Sequence, residues 1–514
     1  MNMSASNLDT LTKEEIDGDD LAKLGYKSDF VREFGYFETT SFAFSIVGLS
    51  SCIASTFNTP LLAGGPAAVV WCWLIASIMC FTLAISVAEL VSAFPTSGGM
   101  YTASALLAPQ KYRAPVGFLV GWLNLIGQVA AVASPEFALS QMIWSAYTIS
   151  TGDDFTPSKV QTVGLFAGLL ILHGAINSLN TRLLARITRS FVFINFFTTF
   201  VVILAFLTSG QPRHDLEYIF TNVVNNTGWG NTGLAFMFGL LSAEWTLTDY
   251  DATAHISEEV KRPAVVVPFA IITAIGTTAV LGFVLNIILV MYSGDLSKLP
   301  GKSGLAVATI MSDNLDASVF YFLWVLVCLN AFFQVNVALQ SCSRTLYAFS
   351  RDGGIPDRGW FGRLTSYKTP VNAVWIIVLV AIGFGSLEFA STVAVNAIFS
   401  LTATALDSSY AVPIVMKLLF MNHPEVKFKP GPFSLGKGFL MWFINIAAIS
   451  WVAFICMILS FPTVQPVTFG NMNYSWVIGI SIVLVSMLWY FLQARKWYQG
   501  PIGNLEGHDV YQKK

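Results

Sequence analysis

The sequence predicts an all-α integral membrane protein of twelve transmembrane helices, and three observations predict it. Of 514 residues, 54% are hydrophobic and only 11% are charged, less than half of the about 25% that a water-soluble globular chain carries. Apolar stretches of roughly 20 residues, the length that crosses a hydrocarbon core of about 30 Å, recur along the chain. Lys and Arg gather in alternate connecting segments, as the positive-inside rule requires. Backbone groups facing lipid need partners within their own segment, and nothing in the sequence has the alternating ten-residue strands of a barrel, so each span is a helix.

Residues 1–36 are polar and acidic (LTKEEIDGDD) and lack a basic segment followed by an apolar core, so no cleaved signal peptide is expected. They read as a cytoplasmic tail. A first block of five spans occupies 37–208, with windows at 37–61, 66–93, 116–148, 161–178 and 190–208. An outer loop, 209–231, leads to a second block over 232–416, with windows at 232–252, 265–292, 317–341, 371–387 and 392–416. A cytoplasmic loop, 417–438, precedes two closing helices over 439–493 (windows 439–460 and 474–493), and a tail, 494–514, ends the chain. With the N-terminus inside, only Lys159, Arg213, Lys298 and Lys302 of the 28 Lys and Arg fall outside, which puts both termini in the cytoplasm. Two glycosylation sequons, at Asn225 and Asn473, fall in outer loops, while a third at Asn2 falls inside.

Composition also excludes functions. The net charge of -2 supplies no field for nucleic acid. The six cysteines lie in or beside apolar stretches without metal-ligand spacing or the density of a disulfide scaffold, and read as reduced packing residues. TSGGMY (residues 96–101) has neither the spacing nor the lysine of a phosphate-binding loop, nothing resembles a catalytic set, and no domain is present to hydrolyse ATP. No cofactor and no metal site is expected.

Two helices are interrupted by their own residues. In the first window SIVGLSS (Ser45 to Ser51) puts a glycine and small hydroxyl residues near mid-membrane, and in the sixth FGLLSAEWTLTDYDA (Phe238 to Ala252) offers Gly239 and then a polar run. Both fall in the first helix of a five-helix block. That register is the sequence pointer to an inverted-repeat transporter with its site at the midplane. Opened helices bare N–H groups at one half-helix end and C=O groups at the other, so a carboxylate can sit on the positive end. The alternative is that the glycines only allow close helix packing.

These residues resemble the amino acid-polyamine-organocation superfamily, and within it the fungal amino acid/GABA/choline permeases. The likeness runs from about residue 25 to 495. It rests on LGYKSDFVREF, FSIVGLSSCIAS, the GGP turn (Gly64 to Pro66), AELVSAFPTSGGMY, LAPQKY, NNTGWGN, DYDATAHISEEVKRP, FSRDGGIP, GPFSLG and FPTVQPVTFGNMNY. The resemblance implies a leucine-transporter-like fold, a 5+5 inverted repeat plus two C-terminal helices, in which helices 1, 2, 6 and 7 rock against 3, 4, 5, 8, 9 and 10. It implies uptake of small amino compounds. Carried onto matching positions, substrate contacts fall on Val47, Gly48, Leu49, Ser50 and Ser51, with Ser242, Ala243, Glu244 and Trp245. Some proton-coupled bacterial relatives carry a lysine in the fifth helix where this chain has Asn195, which argues against lysine-based proton coupling.

Acids inside a membrane are costly, about 2.5 to 3.5 kcal/mol on insertion scales, and are functional candidates by default. Glu136, after Pro135 in the third span, is expected to bind a substrate ammonium or the coupling proton, against the alternative of a neutral acid bonded to carbonyls that Pro135 frees. Glu244 stands beside Trp245, whose ring can face a cation. Asp249 and Asp251 read as a water-exposed helix end that can still line the exit. In the eighth span Asn330, Gln334 and Ser341 share a face, while Asn336 and Gln340 form a second stripe, and one stripe is expected to face the pathway. Asn396, Ser400 and Asp407 share a face of the tenth span, as lining or as interhelical glue. His173 reads as a packed, hydrogen-bonded histidine, and Arg182, Arg186 and Arg189 as topology determinants.

The expected activity is therefore secondary active transport of amino acids or GABA-like compounds by alternating access, driven by protons, in the plasma membrane ahead of the vacuole. The expected partners are a small amine-bearing substrate, protons and lipid. A permease for an organic cation (choline, thiamine or a polyamine), a nutrient sensor and a channel stay open as alternatives. The two short tails weigh against a sensor, and paired helix breaks weigh against a channel.

Overall fold

A computed structural model describes residues 21, 24–26, 29–152, 154–389, 392–426, 428–469 and 471–501, with the side chains of 392–396 left aside. Among these residues all regular structure is helical, apart from one isolated bridge between Phe34 and Val260. Eleven helices are long and apolar enough to cross a membrane. The sixth window makes the twelfth crossing in pieces, Thr232–Met237, Leu240–Thr246 and Ala252–His255. Asn396 lies outside the residues whose side chains are described.

The first span is two helices, Tyr36–Val47 and Leu49–Thr56, joined at Gly48. Gly48 has φ 50° and ψ 46°, a left-handed conformation, and a Cβ there would lie 2.5 Å from Gln334 Oε1. Only glycine meets both demands without strain. The expected opening over SIVGLSS is thus confined to one residue. Asn195 of the fifth span (Thr181–Thr208) donates to Phe44 O at 3.2 Å and so serves a carbonyl of the first half-helix.

The second span, Asn58–Ala93, turns at Gly65 (φ 67°) in the GGP motif, where Pro66 opens the membrane helix. Loop 209–231 packs onto this turn through Ala67 N to Asn222 O (3.0 Å) and Asn226 N to Leu62 O (2.9 Å). The second span packs on the seventh, Pro263–Met291, where Trp73 occupies the space above Gly282 and donates to Ala279 O at 2.9 Å. The third span (Gln110–Ser150) lies at the centre, with the eighth (Ala317–Arg351) and the tenth (Thr392–Phe420) each packed along it. Spans four, nine, eleven and twelve are Lys159–Asn177, Val371–Gly385, Phe439–Ile458 and Ser475–Leu492. At most 39% of the apolar window of each is buried, which leaves them facing lipid.

The face that carries residues 24–26 and 494–501 is closed by ion pairs. Arg344 Nε meets Glu259 Oε1 at 2.6 Å with both side chains fully buried. Arg351 forks onto Glu258 with two bonds of 3.1 Å and lies 4.6 Å over the Tyr26 ring. Asp352 accepts from Tyr26 (3.0 Å) and Tyr101 (2.9 Å). Glu89 is bound by Lys417 and caps the strap after the tenth span, accepting from Ser434 Oγ (3.0 Å) and Leu435 N (2.9 Å). The opposite face is closed by Thr56 against Ser242 (2.7 Å) and by Asn58 against Gly304 and Ala306 (2.8 Å each).

Candidate functional site

Between the two closures lies a small pocket lined by Ile46, Ala131, Ser134, Pro135, Trp245, Thr248, Asp249, Gln334 and Thr402. Every one of these residues is buried, and the space between them, about 10 Å³, has room for about one water molecule. Residues from spans 1, 3, 6, 8 and 10 meet there; the break in span 6 reaches it through Thr248 and Asp249, while span 1 contributes Ile46, two residues ahead of Gly48.

The break in the sixth span is five residues, Leu247 to Asp251, with Asp249 left-handed at φ 59°. Its place differs from the expectation. Gly239, with φ -60° and ψ -20°, makes only a turn between two helical pieces, and Ser242, Ala243, Glu244 and Trp245 lie within the helix Leu240–Thr246, ahead of the break. The physical reason is that Leu240 to Trp245 bury an apolar face with helical spacing, whereas Thr248, Asp249 and Asp251 have side chains that find partners elsewhere. The ending helix presents its last carbonyls, and the second half of span 1 presents its first N–H groups.

The carboxylate in the pocket is that of Asp249, and neither Glu136 nor Glu244 lines it. Asp249 Oδ1 accepts from Gln128 Nε2 at 2.6 Å, and the same nitrogen reaches Asp251 Oδ1 at 3.3 Å. Asp251 also takes bonds from Asn124 (2.7 Å), His255 (3.1 Å) and Tyr410. Both aspartates are buried, 5% and 0% exposed, which corrects the reading of a water-exposed helix end. Trp245 lies along the pocket, its indole donating to Ser134 Oγ at 3.1 Å, with Thr402 Oγ1 3.2 Å beyond.

Gln334 lines the pocket and reaches the first span, donating to Cys52 Sγ at 3.2 Å; Asn330 donates to Ser50 Oγ at 3.1 Å and Ser341 to Gln128 Oε1 at 3.1 Å. That stripe of span 8 faces the centre, as its periodicity predicts. The second stripe does not: Asn336 Oδ1 accepts from Asn177 of span 4 at 3.1 Å, and Gln340 is buried outside the pocket. Val47, Leu49 and Ser51 are buried around Gly48, with Ser51 Oγ bonded to Gly48 O at 2.8 Å.

Glu136 Oε2 meets His173 Nδ1 at 2.8 Å, and His173 Nε2 meets Phe332 O at 3.0 Å. The glutamate thus pairs with a residue expected only to pack, and points between spans 3, 4 and 8 rather than into the pocket that its neighbours Ser134 and Pro135 line. Glu244 Oε2 accepts from Cys80 Sγ (3.2 Å) and Trp451 Nε1 (3.1 Å), and its carboxyl faces that of Asp407, whose Oδ1 accepts from Thr248 at 3.1 Å. No cluster of three His, Cys, Asp or Glu residues with metal-binding arrangement occurs among the described residues.

Comparison with known proteins agrees with this architecture. The family described as "Amino acid permease" matches residues 34–483. An uncharacterized amino-acid permease of Schizosaccharomyces pombe is 41% identical, covering 96% of this chain and 92% of its own. Amino-acid permease 2 of Neurospora crassa is 36% identical (94% and 88% covered), and the GABA-specific permease of Saccharomyces cerevisiae is 30% identical (95% and 86% covered). Among solved structures, the Eremococcus coleocola manganese transporter shares the fold at a TM-score of 0.52 and 13% identity, over 90% of this chain and 94% of that one.

Proposed function

The chain belongs to the amino acid permease family, a family of multi-pass membrane carriers rather than enzymes, and from that premise we propose how it takes its substrate. The substrate is an amino acid or a GABA-like compound. Its carboxylate rests on the N–H groups that open the helix Leu49–Thr56, beside Gly48, and its amine faces Asp249 and the carbonyl end of Leu240–Thr246. Trp245 covers the amine with its π face. The observation that supports this reading is the small buried pocket between spans 1 and 6, with Asp249 as its carboxylate and Gln334 linking it to Gly48.

Gly48 and the stretch 247–251 act as the two hinges. The Arg344–Glu259 and Arg351–Glu258 pairs form the cytoplasmic closure, and Thr56, Asn58 and Ser242 the outer one. Both termini lie in the cytoplasm, since nearly all Lys and Arg gather on that side. The membrane is the plasma membrane and the driving force a proton gradient.

The test is uptake by purified protein in proteoliposomes, against a panel of the twenty amino acids, GABA, choline, thiamine and putrescine, with and without an inside-alkaline pH gradient. Accumulation of an amino acid or GABA that the gradient enhances is expected. Transport of choline, thiamine or putrescine alone would replace the amino-acid reading by that of an organic-cation carrier, which the pairing of Asp249 with Trp245 also suits. Accumulation indifferent to the gradient would remove the proton.

A further inference from the structure

We propose that the Asp251–His255 pair holds the coupling proton, received by way of Asp249 in the pocket and given up to the cytoplasm when the TSGG turn leaves His255. The proposal rests on the proton-driven reading above and names the groups that perform it.

Tautomer logic carries it. His255 Nδ1 lies 2.9 Å from Ser97 O, and a carbonyl oxygen only accepts, so Nδ1 bears hydrogen. Nε2 lies 3.1 Å from Asp251 Oδ2. Two bare lone pairs would oppose each other there, so a second hydrogen sits on that line. The pair is neutral with this proton, whichever atom holds it, and carries one negative charge without it. Both side chains are fully buried, where an uncompensated charge is costly.

The surroundings favour one removable proton. Asn124, Gln128 and Tyr410 donate to Asp251 from spans 3 and 10. The titratable groups facing the pair are Asp249 and Tyr250 on its own segment and Tyr410 of span 10. Cys342 of span 8 stands beside Asp249, and Glu258 lies beyond the turn, bonded to Ser97 N at 3.2 Å. Three buried cations of this face are paired elsewhere: Arg344 with Glu259, Arg351 with Glu258 and Lys417 with Glu89.

Position completes the argument. Asp249 and Asp251 share the Gln128 amide nitrogen, so the pair is one step from the pocket. On its other side the imidazole meets the TSGG turn, where Gly99, at φ 51°, lets the backbone close on the ring, 2.8 Å from where a Cβ would stand. The structure shows the line filled; after release to the cytoplasm it stands empty, with one negative charge. When substrate ammonium then takes Asp249, the carboxyl O–H there breaks, its electron pair stays on the Asp249 oxygen, and the proton bonds to the free lone pair of Asp251, Gln128 serving only to hold the two carboxyl groups side by side. When the turn moves and water enters, the Nε2–H bond breaks, the electron pair stays on nitrogen and water takes the proton. The Glu136–His173 pair repeats the tautomer logic without the position, since its second nitrogen ends on Phe332 O.

The experiment uses the full chain in proteoliposomes loaded with a pH-sensitive dye, with a mixture of the twenty amino acids and GABA added outside. Wild-type protein is expected to acidify the lumen and to exchange labelled mixture in counterflow. Asp251→Asn and His255→Gln are expected to lose at least about tenfold in proton influx, with counterflow persisting in His255→Gln, which lies outside both the pocket and the hinge. Should both variants lose counterflow as well, Tyr410→Phe decides: loss of a donor to the carboxylate moves the midpoint of influx to higher pH, and an unmoved profile overturns the proposal. Proton influx undiminished in Asp251→Asn and His255→Gln overturns it alone. Absence of influx in the wild type overturns it together with the proton-driven reading.

Discussion

Replacing Gly48 by alanine tests whether the break in span 1 is built into the fold or incidental to it. Two effects add. The backbone at φ 50° and ψ 46° is left-handed, and an L side chain there costs about 1–2 kcal/mol. The new Cβ would also stand 2.5 Å from Gln334 Oε1 and 2.7 Å from Gln334 Cδ, so the amide must withdraw. Withdrawal breaks its contacts with Ser51 (3.4 Å) and Cys52 (3.2 Å), at about 0.5–1.5 kcal/mol for a bond of ordinary strength. The expected loss is about 2–4 kcal/mol in unfolding free energy, measured by denaturant titration in micelles. Gln334→Ala clears the clash and leaves the backbone term, so the double variant should recover about 1 kcal/mol relative to additivity. Uptake should fall further than stability does, because Gln334 lines the pocket. A Gly48→Ala protein within about 0.5 kcal/mol of wild type, the scatter of an indifferent surface substitution, would refute the reasoning. So would complete rescue by Gln334→Ala, which would make the left-handed backbone free of cost.

Asp249→Asn should raise KM for amine-bearing substrates about 10- to 150-fold, the equivalent of a charge-assisted bond of about 1.5–3 kcal/mol. Glu244→Gln should leave KM nearly unchanged, since Cys80 and Trp451 hold that carboxylate outside the pocket; equal effects in initial-rate uptake would deny Asp249 its role. Arg344→Met strands a buried Glu259 and should cost about 3–5 kcal/mol, while Arg344→Met with Glu259→Met should restore most of it, as thermal unfolding in detergent can measure. Asp352, beyond the end of the eighth span, is pushed up from the ordinary carboxylate value of 3.8 to about 6 by burial, against the lowering effect of Arg351. The folded state therefore binds the proton more tightly than the unfolded chain, and this group's contribution is full below 3.8 and lost as pH rises through about 6. Thermal stability of wild type relative to Asp352→Asn should fall across that window, and a flat difference would reject the shift.

How much of this was legible in the sequence follows from where helical phase survives. The spans are set by the length of apolar stretches, which is a local property, and the sixth was findable because its window is apolar overall although its helix is in pieces. The span 8 stripe was readable because Ala317–Arg351 is continuous, so 100° per residue carries Asn330 and Gln334 to the same side. Position near mid-span marked Glu136 as a candidate but told neither its direction nor its partner, since His173 arrives from another span. Across Leu247 to Asp251 phase is lost altogether. The acid that looked most central, Glu244, lies ahead of that stretch and turns toward spans 2 and 11, while within it the acid that looked like a wet helix end, Asp249, turns into the pocket. No periodicity argument reaches past a left-handed residue.

The two breaks are therefore different devices. In span 1 the ladder runs unbroken to Gly48 N, which bonds Phe44 O at 3.3 Å, and resumes at once with Cys52 N on Gly48 O at 2.9 Å. A single left-handed residue joins two nearly complete helices and can act as a swivel while few backbone groups are left unpaired. In span 6 the ladder lapses over five residues, and Thr248, Asp249 and Asp251 spend their side chains on spans 3 and 10. Movement at Gly48 reorients a half-helix, whereas movement of span 6 must break polar bonds to its surroundings. Of the two, span 6 is the element tied to other spans by side-chain bonds, so its displacement costs polar contacts that a turn at Gly48 does not.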